Sequence, residues 1–297
     1  MSMIKIYNAT KNYGENKGIF NLSFNVEKGE VFGLLGPNGA GKTTTIRHLL
    51  GFSKLDSGIM YIDNEETWTE SAKVQDKLGY LPGEISFPEN LTGMEFIEYI
   101  GQLRGMKSFD KAKRLLEYFD LNASAKLKRM SKGMKQKIAL VVAFMHDPQI
   151  VILDEPTSGL DPLMQERFIQ LIAQEKKNGK TILLSSHMFN EIERTCDKVA
   201  IIKQGRLITE ISMKSIRQHS KKIYEIGFNK TEELEKFTEF DFRIEMLNLE
   251  KQKIKIEIND TNINQLISKL SLMDIKYIKE DVYTLEKHFM QYYGKEV

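Results

Sequence analysis

The segment at residues 36–43, GPNGAGKT, directly follows an apolar run at residues 31–35 and constrains the fold more than any other part of the chain. It matches the pattern G-x-x-x-x-G-K-[ST], in which glycines allow backbone N–H groups to surround several phosphate oxygens at once. Lys42 can reach the β- and γ-phosphates of a nucleotide, and Thr43 offers a hydroxyl group to Mg²⁺. A helix is predicted over residues 44–50, with its positive end directed at the same place. These residues therefore predict a strand, a phosphate-binding loop and a helix in succession.

A second segment combines an apolar strand with two acids. Residues 150–153 form an apolar run, and Asp154 and Glu155 follow it directly. In phosphoryl chemistry Asp154 can hold Mg²⁺ through water, and Glu155 can polarise the attacking water. Paired acids are also common on solvated surfaces, so this assignment depends on the phosphate-binding loop in the same chain. Together the two segments predict hydrolysis of a nucleoside triphosphate.

Composition favours a cytosolic enzyme with two domains. The chain has 297 residues, 28% of them charged and 41% hydrophobic, which is enough for two domains with cores of their own. The net charge of +2 gives no indication of nucleic-acid binding, so no such partner is expected. The single cysteine, Cys196, excludes an internal disulfide and a cysteine-based zinc cluster. The longest apolar stretch, residues 138–145, is shorter than the ~20 residues that span a bilayer, so we expect any membrane part in another chain.

Hydrophobic patterning predicts an α/β fold for the first two thirds of the chain. Residues 4–7 and 22–26 alternate apolar and polar side chains, as half-buried strands do, and residues 91–125 follow a helical period. Continuous apolar runs suit strands that helices cover on both faces, and they occur at residues 150–153, 181–184 and 199–202. This pattern predicts a parallel α/β sheet.

The last part of the chain predicts a smaller α+β domain. A polar, basic stretch at residues 212–222 is interpreted as a linker. The elements predicted beyond it are a strand at 224–228, a helix at 231–237, a hairpin at 242–249 and 253–258, a helix at 263–270, a strand at 275–278 and a helix at 285–293. The order β-α-β-β-α-β is that of a ferredoxin-like sandwich. We assign residues 1–215 to an ATP-binding domain and residues 222–297 to this accessory domain.

With its further motifs, the sequence resembles the ATP-binding subunit of ABC transporters over residues 4–210. GPNGAGKTT is similar to the Walker A loop, VILDEP to the Walker B strand, SGLD to the D-loop and SSHM to the H-loop. The resemblance implies a P-loop NTPase fold of the ABC type, with an antiparallel β subdomain and a helical subdomain at about residues 91–146. It also implies ATP and Mg²⁺ as cofactors.

The resemblance implies a role for each residue that matches a motif. Lys42, Glu155 and His187 are expected to be catalytic, with His187 at the γ-phosphate. Tyr13 matches the aromatic residue that stacks on adenine. The loop residues expected to bind the nucleotide are Asn38, Gly39, Ala40, Gly41, Lys42, Thr43 and Thr44.

The signature loop departs from the common LSGGQ form. Here it reads MSKGM, in which Ser131 and Gly133 are retained and Lys132 adds a cation. A serine oxygen and unbonded N–H groups at the start of a helix can bind a γ-phosphate. We expect Ser131, Lys132 and Gly133 to close on ATP held by a second copy of the subunit.

The residue after Pro82 also departs from the family pattern. Many members carry a glutamine there, which contacts Mg²⁺ and senses the membrane subunit, whereas this chain has Gly83. Glu84 is the candidate to act in its place. The expected Mg²⁺ site therefore consists of Thr43, Asp154 and Glu84.

The motifs GYLPGE and SKGMKQK resemble the bacterial group of ABC ATPases that export drugs and peptides, including bacitracin-type exporters. The expectation is a homodimer at the cytoplasmic face of a bacterial membrane, which sandwiches two ATPs and drives a separate transmembrane permease. An importer ATPase with a regulatory C-terminal domain is one alternative. A soluble ABC protein that acts on ribosomes or DNA is another alternative. Members that act on ribosomes usually carry tandem ATPase units, and members that act in DNA repair carry a long coiled-coil insertion.

Overall fold

A parallel sheet beneath the phosphate-binding loop organises the first part of the molecule. The computed structural model describes residues 1–15, 17–217, 221–281 and 284–293. The chain divides into two units, Met1–Met213 and Lys214–Val297. In chain order, the elements of the first unit are β1 (Ser2–Asn12), β2 (Gly18–Glu27), β3 (Val31–Leu35), α1 (Lys42–Leu49), β4 (Ser57–Ile62), β5 (Glu65–Glu66), α2 (Ser71–Lys77), β6 (Leu78–Leu81), α3 (Gly93–Leu103), α4 (Asp110–Tyr118), α5 (Lys132–Phe144), β7 (Ile150–Asp154), α6 (Pro162–Lys177), β8 (Thr181–Ser186), α7 (Phe189–Thr195), β9 (Lys198–Lys203) and β10 (Arg206–Ser212).

The central sheet has the strand order β10-β9-β3-β8-β7-β6. All neighbours pair in parallel except β10, which runs antiparallel to β9. The strands β3, β7 and β8 are buried along their whole length, because other elements cover both faces of the sheet there. Leu35 pairs with Ser186, and Asp154 pairs with Ser185, so the three strands end at one edge of the sheet. This register brings the phosphate loop, the two acids and His187 to the same place.

A second, antiparallel sheet with the order β2-β1-β4-β5 lies against the same core. Its strands alternate buried and exposed residues, and inward-facing Ile6 and Phe24 join Leu34 of the central sheet in one apolar cluster. The rings of Phe24 and Phe32 stack with their centroids 5.2 Å apart. The sheets confirm the predicted mixed α/β fold, with a largely parallel central sheet and a separate antiparallel sheet.

Three helices form the helical part of the first unit, in which α3 and α4 both pack against α5. Thr92 and Glu95 begin α3 with a reciprocal capping box, in which each side chain accepts a hydrogen bond from the other residue's backbone N–H. Gly105 adopts a φ of +66° just after the end of α3. The single helical pattern predicted over residues 91–125 is therefore two helices separated by a turn.

The boundary between the units falls within α8 (Met213–Arg217). The second unit then contains β11 (Lys221–Phe228), α9 (Thr231–Thr238), β12 (Arg243–Asn248), β13 (Lys253–Asn259), α10 (Ile263–Leu270), β14 (Ile275–Glu280) and α11 (Leu285–Tyr293). From β11 to β14 the order of elements is β-α-β-β-α-β, and the sheet order is β12-β13-β11-β14. The side chains of Ile226, Phe237, Ile256 and Leu266 form its apolar core.

Most of the stretch at residues 212–222, interpreted from the sequence as a linker, is helix or strand, and the boundary between the two units falls within it. Residues 213–217 form α8, Lys221 and Lys222 begin β11, and residues 218–220 lie outside the described residues. Met213 and Ile216 are buried, which the basic composition of the stretch conceals. Within the described residues, no helix has both the length and the apolar character needed to cross a membrane.

Candidate functional site

The phosphate-binding loop connects β3 to α1 along a path that glycine makes possible. Gly39 and Gly41 adopt left-handed φ values of +80° and +106°. A Cβ atom at Gly36 would lie 2.3 Å from the backbone oxygen of Ile202, so the loop passes too close to β9 for any side chain. Gly41 is also the N-cap residue of α1 and has no side chain to cap it, so the first amides of the helix are available to an anion.

Lys42 is held under this loop. Only 5% of the residue is exposed, and its Nζ donates to the backbone oxygens of Gly36, at 2.8 Å, and Pro37, at 3.3 Å. The same ammonium lies 3.1 Å from Glu155 Oε1. The lysine is thus placed where the phosphates of a nucleotide in the loop would lie.

Thr43 and Asp154 bring two oxygen donors together. Thr43 Oγ1 donates a hydrogen bond of 2.7 Å to Asp154 Oδ2, and the Ser185 hydroxyl donates to Asp154 Oδ1. Asp154 is fully buried, so these hydroxyls fix the direction of its carboxylate. Hydroxyl and carboxylate oxygens beside a phosphate loop fit Mg²⁺, which is commonly held by one or two protein groups together with substrate phosphates.

Glu155 follows β7 in a conformation that non-glycine residues rarely adopt, with a φ of +50°. Its N–H donates to Ser185 Oγ at 3.1 Å, which anchors the residue to the neighbouring strand. Its Oε2 atom lies 2.7 Å from His187 Nδ1, at the end of β8. Glu155 therefore connects Lys42 on one side with His187 on the other.

An open pocket of about 540 Å³ contains these groups. The residues that line it are Asn38, Thr43, Arg47, Tyr80, Pro82, Gly83, Glu84, Lys132, Asp154, Glu155, Ser158 and His187. Sequence reasoning gave no role to Arg47 or Tyr80, although Arg47 follows Thr43 by four residues on α1 and so shares its helix face. Burial raises the pKa of Tyr80 to about 12, so its phenol remains protonated at neutral pH.

The signature loop packs against the segment that follows Glu155. Ser131 caps α5 by accepting a hydrogen bond of 3.2 Å from the N–H of Met134. Lys132 Nζ donates to Ser158 Oγ at 2.8 Å. A Cβ at Gly133 would stand 2.6 Å from the backbone oxygen of Gly159, so the two loops touch directly. Lys132 lines the pocket, whereas Ser131 and Gly133 do not.

Of the remaining predicted residues, Gly83 and Glu84 line this pocket, whereas Tyr13 and Ala40 do not. The Tyr13 ring is exposed, and its hydroxyl lies 3.4 Å from His48 Nε2. Ala40 is buried in the loop, so only its backbone can face a phosphate. Gly83 lies against Asp154, because a Cβ there would be 3.0 Å from Asp154 Oδ2. Glu84 is exposed at the rim of the pocket.

Comparisons with known proteins agree with this geometry. A family model described as ABC transporter matches residues 19–158. An uncharacterised ABC transporter ATP-binding protein of Methanocaldococcus jannaschii is 40% identical over 210 residues, which cover 69% of this chain and 76% of the relative. The linearmycin resistance ATP-binding protein of Bacillus subtilis is 38% identical over 211 residues, or 69% of this chain and 68% of the relative. The bacitracin transport ATP-binding protein of Bacillus licheniformis is 36% identical over 227 residues, with coverages of 75% and 74%.

Solved structures of ABC transporter ATP-binding subunits also resemble this chain. The structure of an ATP-binding subunit of an ABC transporter aligns with a TM-score of 0.67 at 31% identity, over 73% of this chain and 92% of the other. A dimeric ABC cassette in a post-hydrolysis state, bound to ADP and phosphate, aligns with a TM-score of 0.64 at 27% identity, over 71% of this chain and 99% of the other.

Proposed function

The chain belongs to the family of ABC transporter ATP-binding proteins, and from this premise we propose that it powers a separate membrane-spanning exporter of antibiotics or amphipathic antimicrobial peptides. As a member of the family it is an ATP-binding transporter subunit with an ATP-hydrolysing domain. The observation that carries the chemistry is the placement of the Glu155 carboxylate between Lys42, at 3.1 Å, and His187, at 2.7 Å, beside the phosphate loop.

The hydrolysis step follows from these contacts. The loop amides and Lys42 bind the phosphates, whose charges are stronger partners for the ammonium than one carboxylate. Glu155, released from Lys42, orients a water molecule towards the γ-phosphate and accepts its proton. His187 holds Glu155 through its Nδ1–H, and in the doubly protonated form of the ring its Nε2–H donates to the γ-phosphate. Thr43 and Asp154, with Glu84 at the rim, would hold Mg²⁺, which would supply positive charge to neutralise the phosphates.

The proposed working unit is a dimer of two copies with two ATPs between them. In it, Ser131, Lys132 and Gly133 at the start of α5 close on the γ-phosphate held by the other copy. The related cassette that is dimeric with ADP and phosphate bound supports a dimer as the working unit. ATP then contributes binding energy to the closed state alone, and hydrolysis removes it.

The export direction rests on relatives named for linearmycin resistance and bacitracin transport. The subunit is proposed to bind peripherally to a permease at the cytoplasmic face of a bacterial membrane. The unit that contains β11 to β14 is proposed to be an accessory or regulatory domain, spanning about residues 222–297. The same β-α-β-β-α-β order is the one observation that favours the alternative of an importer with a regulatory domain.

A resistance assay tests the proposed direction. Cells that lack this subunit receive either the wild-type chain or Glu155→Gln, and their sensitivity to bacitracin and linearmycin is measured together with accumulation of labelled drug. We expect the wild-type chain alone to restore resistance and to lower accumulation. Equal sensitivity of all strains, combined with reduced uptake of a nutrient in the deletion strain, would instead indicate an importer.

A further inference from the structure

Glu191 is a buried acid that the proposed mechanism does not use. It lies in the first turn of α7, four residues after His187, and only 4% of it is exposed. Its Oε1 atom has no hydrogen-bond partner among the residues that the structure describes. Burying a carboxyl oxygen without a partner costs free energy, so the position of Glu191 beside the turn that carries His187 requires a physical reason.

The contacts of Glu191 lead to the turn that carries His187. The Ser186 hydroxyl donates a hydrogen bond to Glu191 Oε2. Ser186 Oγ also accepts a hydrogen bond of 2.9 Å from the N–H of Met188. Ser186 and Met188 flank His187 in the chain, so these two bonds fix the backbone on both sides of it. His187 Nδ1 then lies 2.7 Å from Glu155 Oε2.

We propose that Glu191 is a positioning residue for ATP hydrolysis, which holds the turn at residues 186–188 so that His187 keeps its contact with Glu155. The inference rests on the roles proposed above for Glu155 and His187. Glu191 touches no reacting atom in this scheme and acts through Ser186. A small displacement of a catalytic group is enough to slow a reaction, so a positioning contact has a measurable effect on turnover.

The surroundings of Glu191 favour the neutral form of its carboxyl group. Burial raises the pKa of Glu191 to about 7, and the negative charge of Glu155 acts in the same direction. The hydroxyls of Ser186 and Thr157 and the His187 ring act in the opposite direction.

Other charged groups near Glu191 are already engaged with each other. Arg194 of α7 and Glu166 of α6 line the same small pocket as Glu191, and they form an ion pair of 2.6 Å. The buried Cys196 thiol follows α7, and burial raises its pKa far above the usual range, so it stays uncharged.

Ionisation of Glu191 would place a second negative charge beside Glu155 and leave Oε1 as a buried charged atom. We therefore expect hydrolysis to slow as pH rises through about 7. The free energy of unfolding should also fall as pH rises, because the pKa of Glu191 in the folded state is raised above the ordinary value of 4.5. The stability linked to this proton is fully present below that ordinary value and is lost as pH rises to the folded-state pKa.

The test compares the kcat and KM for ATP of Glu191→Gln, Glu191→Ala and Ser186→Ala between about pH 6 and pH 9. Glutamine has the shape of the neutral acid but cannot ionise. For Glu191→Gln we expect a kcat within about twofold of wild type near pH 6 and no decline above pH ~7. For both alanine variants we expect kcat to fall roughly tenfold at every pH with little change in KM, and the double variant to cost no more than either alone.

Glu175→Gln is the matched control, because Glu175 is an equally buried acid whose partners are Lys111, at 3.1 Å, and Lys180, at 3.5 Å. Its pH profile should follow that of the wild type, and thermal unfolding and ATP binding establish that each variant is folded. A Glu191→Gln profile parallel to wild type, or a wild-type kcat in Glu191→Ala, overturns the inference. Normal turnover by Glu155→Gln would instead refute the proposed hydrolysis mechanism on which the inference rests, whatever the profile of Glu191→Gln.

Discussion

Glu155 combines an unusual backbone conformation with side-chain contacts to Lys42 and His187. A non-glycine residue with a φ of +50° costs of the order of 1–3 kcal/mol. Hydrogen bonds from its N–H to the oxygen atoms of Ser185 hold that conformation. The strain therefore serves to direct the carboxylate towards the phosphate loop.

Glu155→Gln should abolish turnover without abolishing ATP binding. The amide keeps the size of the side chain but cannot accept the proton of the attacking water, and loss of a general base typically costs ~10²–10⁴-fold in rate. The measurement is phosphate release under saturating Mg-ATP, with ATP affinity determined in parallel. Near-normal phosphate release would remove Glu155 from the mechanism.

Lys42→Ala is the control for that experiment, because it should fail at an earlier step. The Lys42 ammonium lies under the loop and is the side chain proposed to face the phosphates. A titration should show severely weakened ATP binding in Lys42→Ala and near-normal binding in Glu155→Gln. Wild-type affinity in Lys42→Ala would contradict the assignment of the loop.

The sequence predicted the residues that stand in motifs and missed those that depend on the tertiary structure. Lys42 and Thr43 are recognisable because the glycine spacing around them has few other uses. Glu191 has no such signal, because the polar segment around it gives no indication that the acid is buried and bonded to Ser186. Gly83 appears in sequence as a missing glutamine, yet the structure places it against the Asp154 carboxylate.

At the scale of elements, the start of α5 is the feature that couples one copy to another in the proposed dimer. The helix begins with the Ser131 cap, and Lys132 reaches across to Ser158, three residues after the proposed base Glu155. A helix N-terminus with a serine and a lysine offers both hydrogen bonds and charge to an anion.

Ser131→Arg in the Glu155→Gln background should prevent the ATP-dependent dimer, because a bulky side chain fills the space in which the partner's γ-phosphate would lie. Sedimentation with Mg-ATP should give a dimer for Glu155→Gln and a monomer for the double variant. ATP binding by the monomer should remain nearly intact, since the Walker residues are untouched.

The matched controls separate capping from anion binding. Ser131→Ala removes the N-cap of α5, and Thr92→Ala removes the N-cap of α3. Each variant should lower the free energy of unfolding by about 1 kcal/mol. Thr92→Ala should leave dimer formation unchanged. An undiminished dimer in the variant with Ser131→Arg would mean that the signature loop is only a helix cap.

Strands were predictable from the sequence where a regular pattern of apolar residues marks them. They were not predictable where packing against another element determines which residue is present. The run at residues 150–153 indicated β7, and the structure adds only Asp154. The strand β6 was missed, since Leu78–Leu81 contains a glycine that weakens the pattern. That glycine is required, because a Cβ at Gly79 would lie 2.0 Å from the backbone oxygen of Ala143 on α5.

At the scale of the whole molecule, the two units have separate apolar cores. The first unit buries Ile6, Phe24 and Leu34 in one cluster, and the second unit buries Phe228 and Ile256 in another. The residues proposed to bind the nucleotide all lie in the first unit, Met1–Met213. The second unit should therefore contribute to dimer stability or regulation rather than to chemistry.

A chain that ends at Ser220 should consequently fold and bind ATP with near-normal affinity, while dimer formation or coupling to the permease weakens. Titration with ATP and thermal unfolding are the measurements.

A chain that ends at Ser212 provides the control, because Met213 is buried and its N–H donates a hydrogen bond of 2.8 Å to the backbone oxygen of Asp197. Loss of that side chain should cost about 1.5–3 kcal/mol, so the shorter chain should unfold at a lower temperature. If the chain ending at Ser220 were folded and yet unable to bind ATP, the second unit would be part of the nucleotide site, and the division into an ATPase unit and an accessory unit would be wrong.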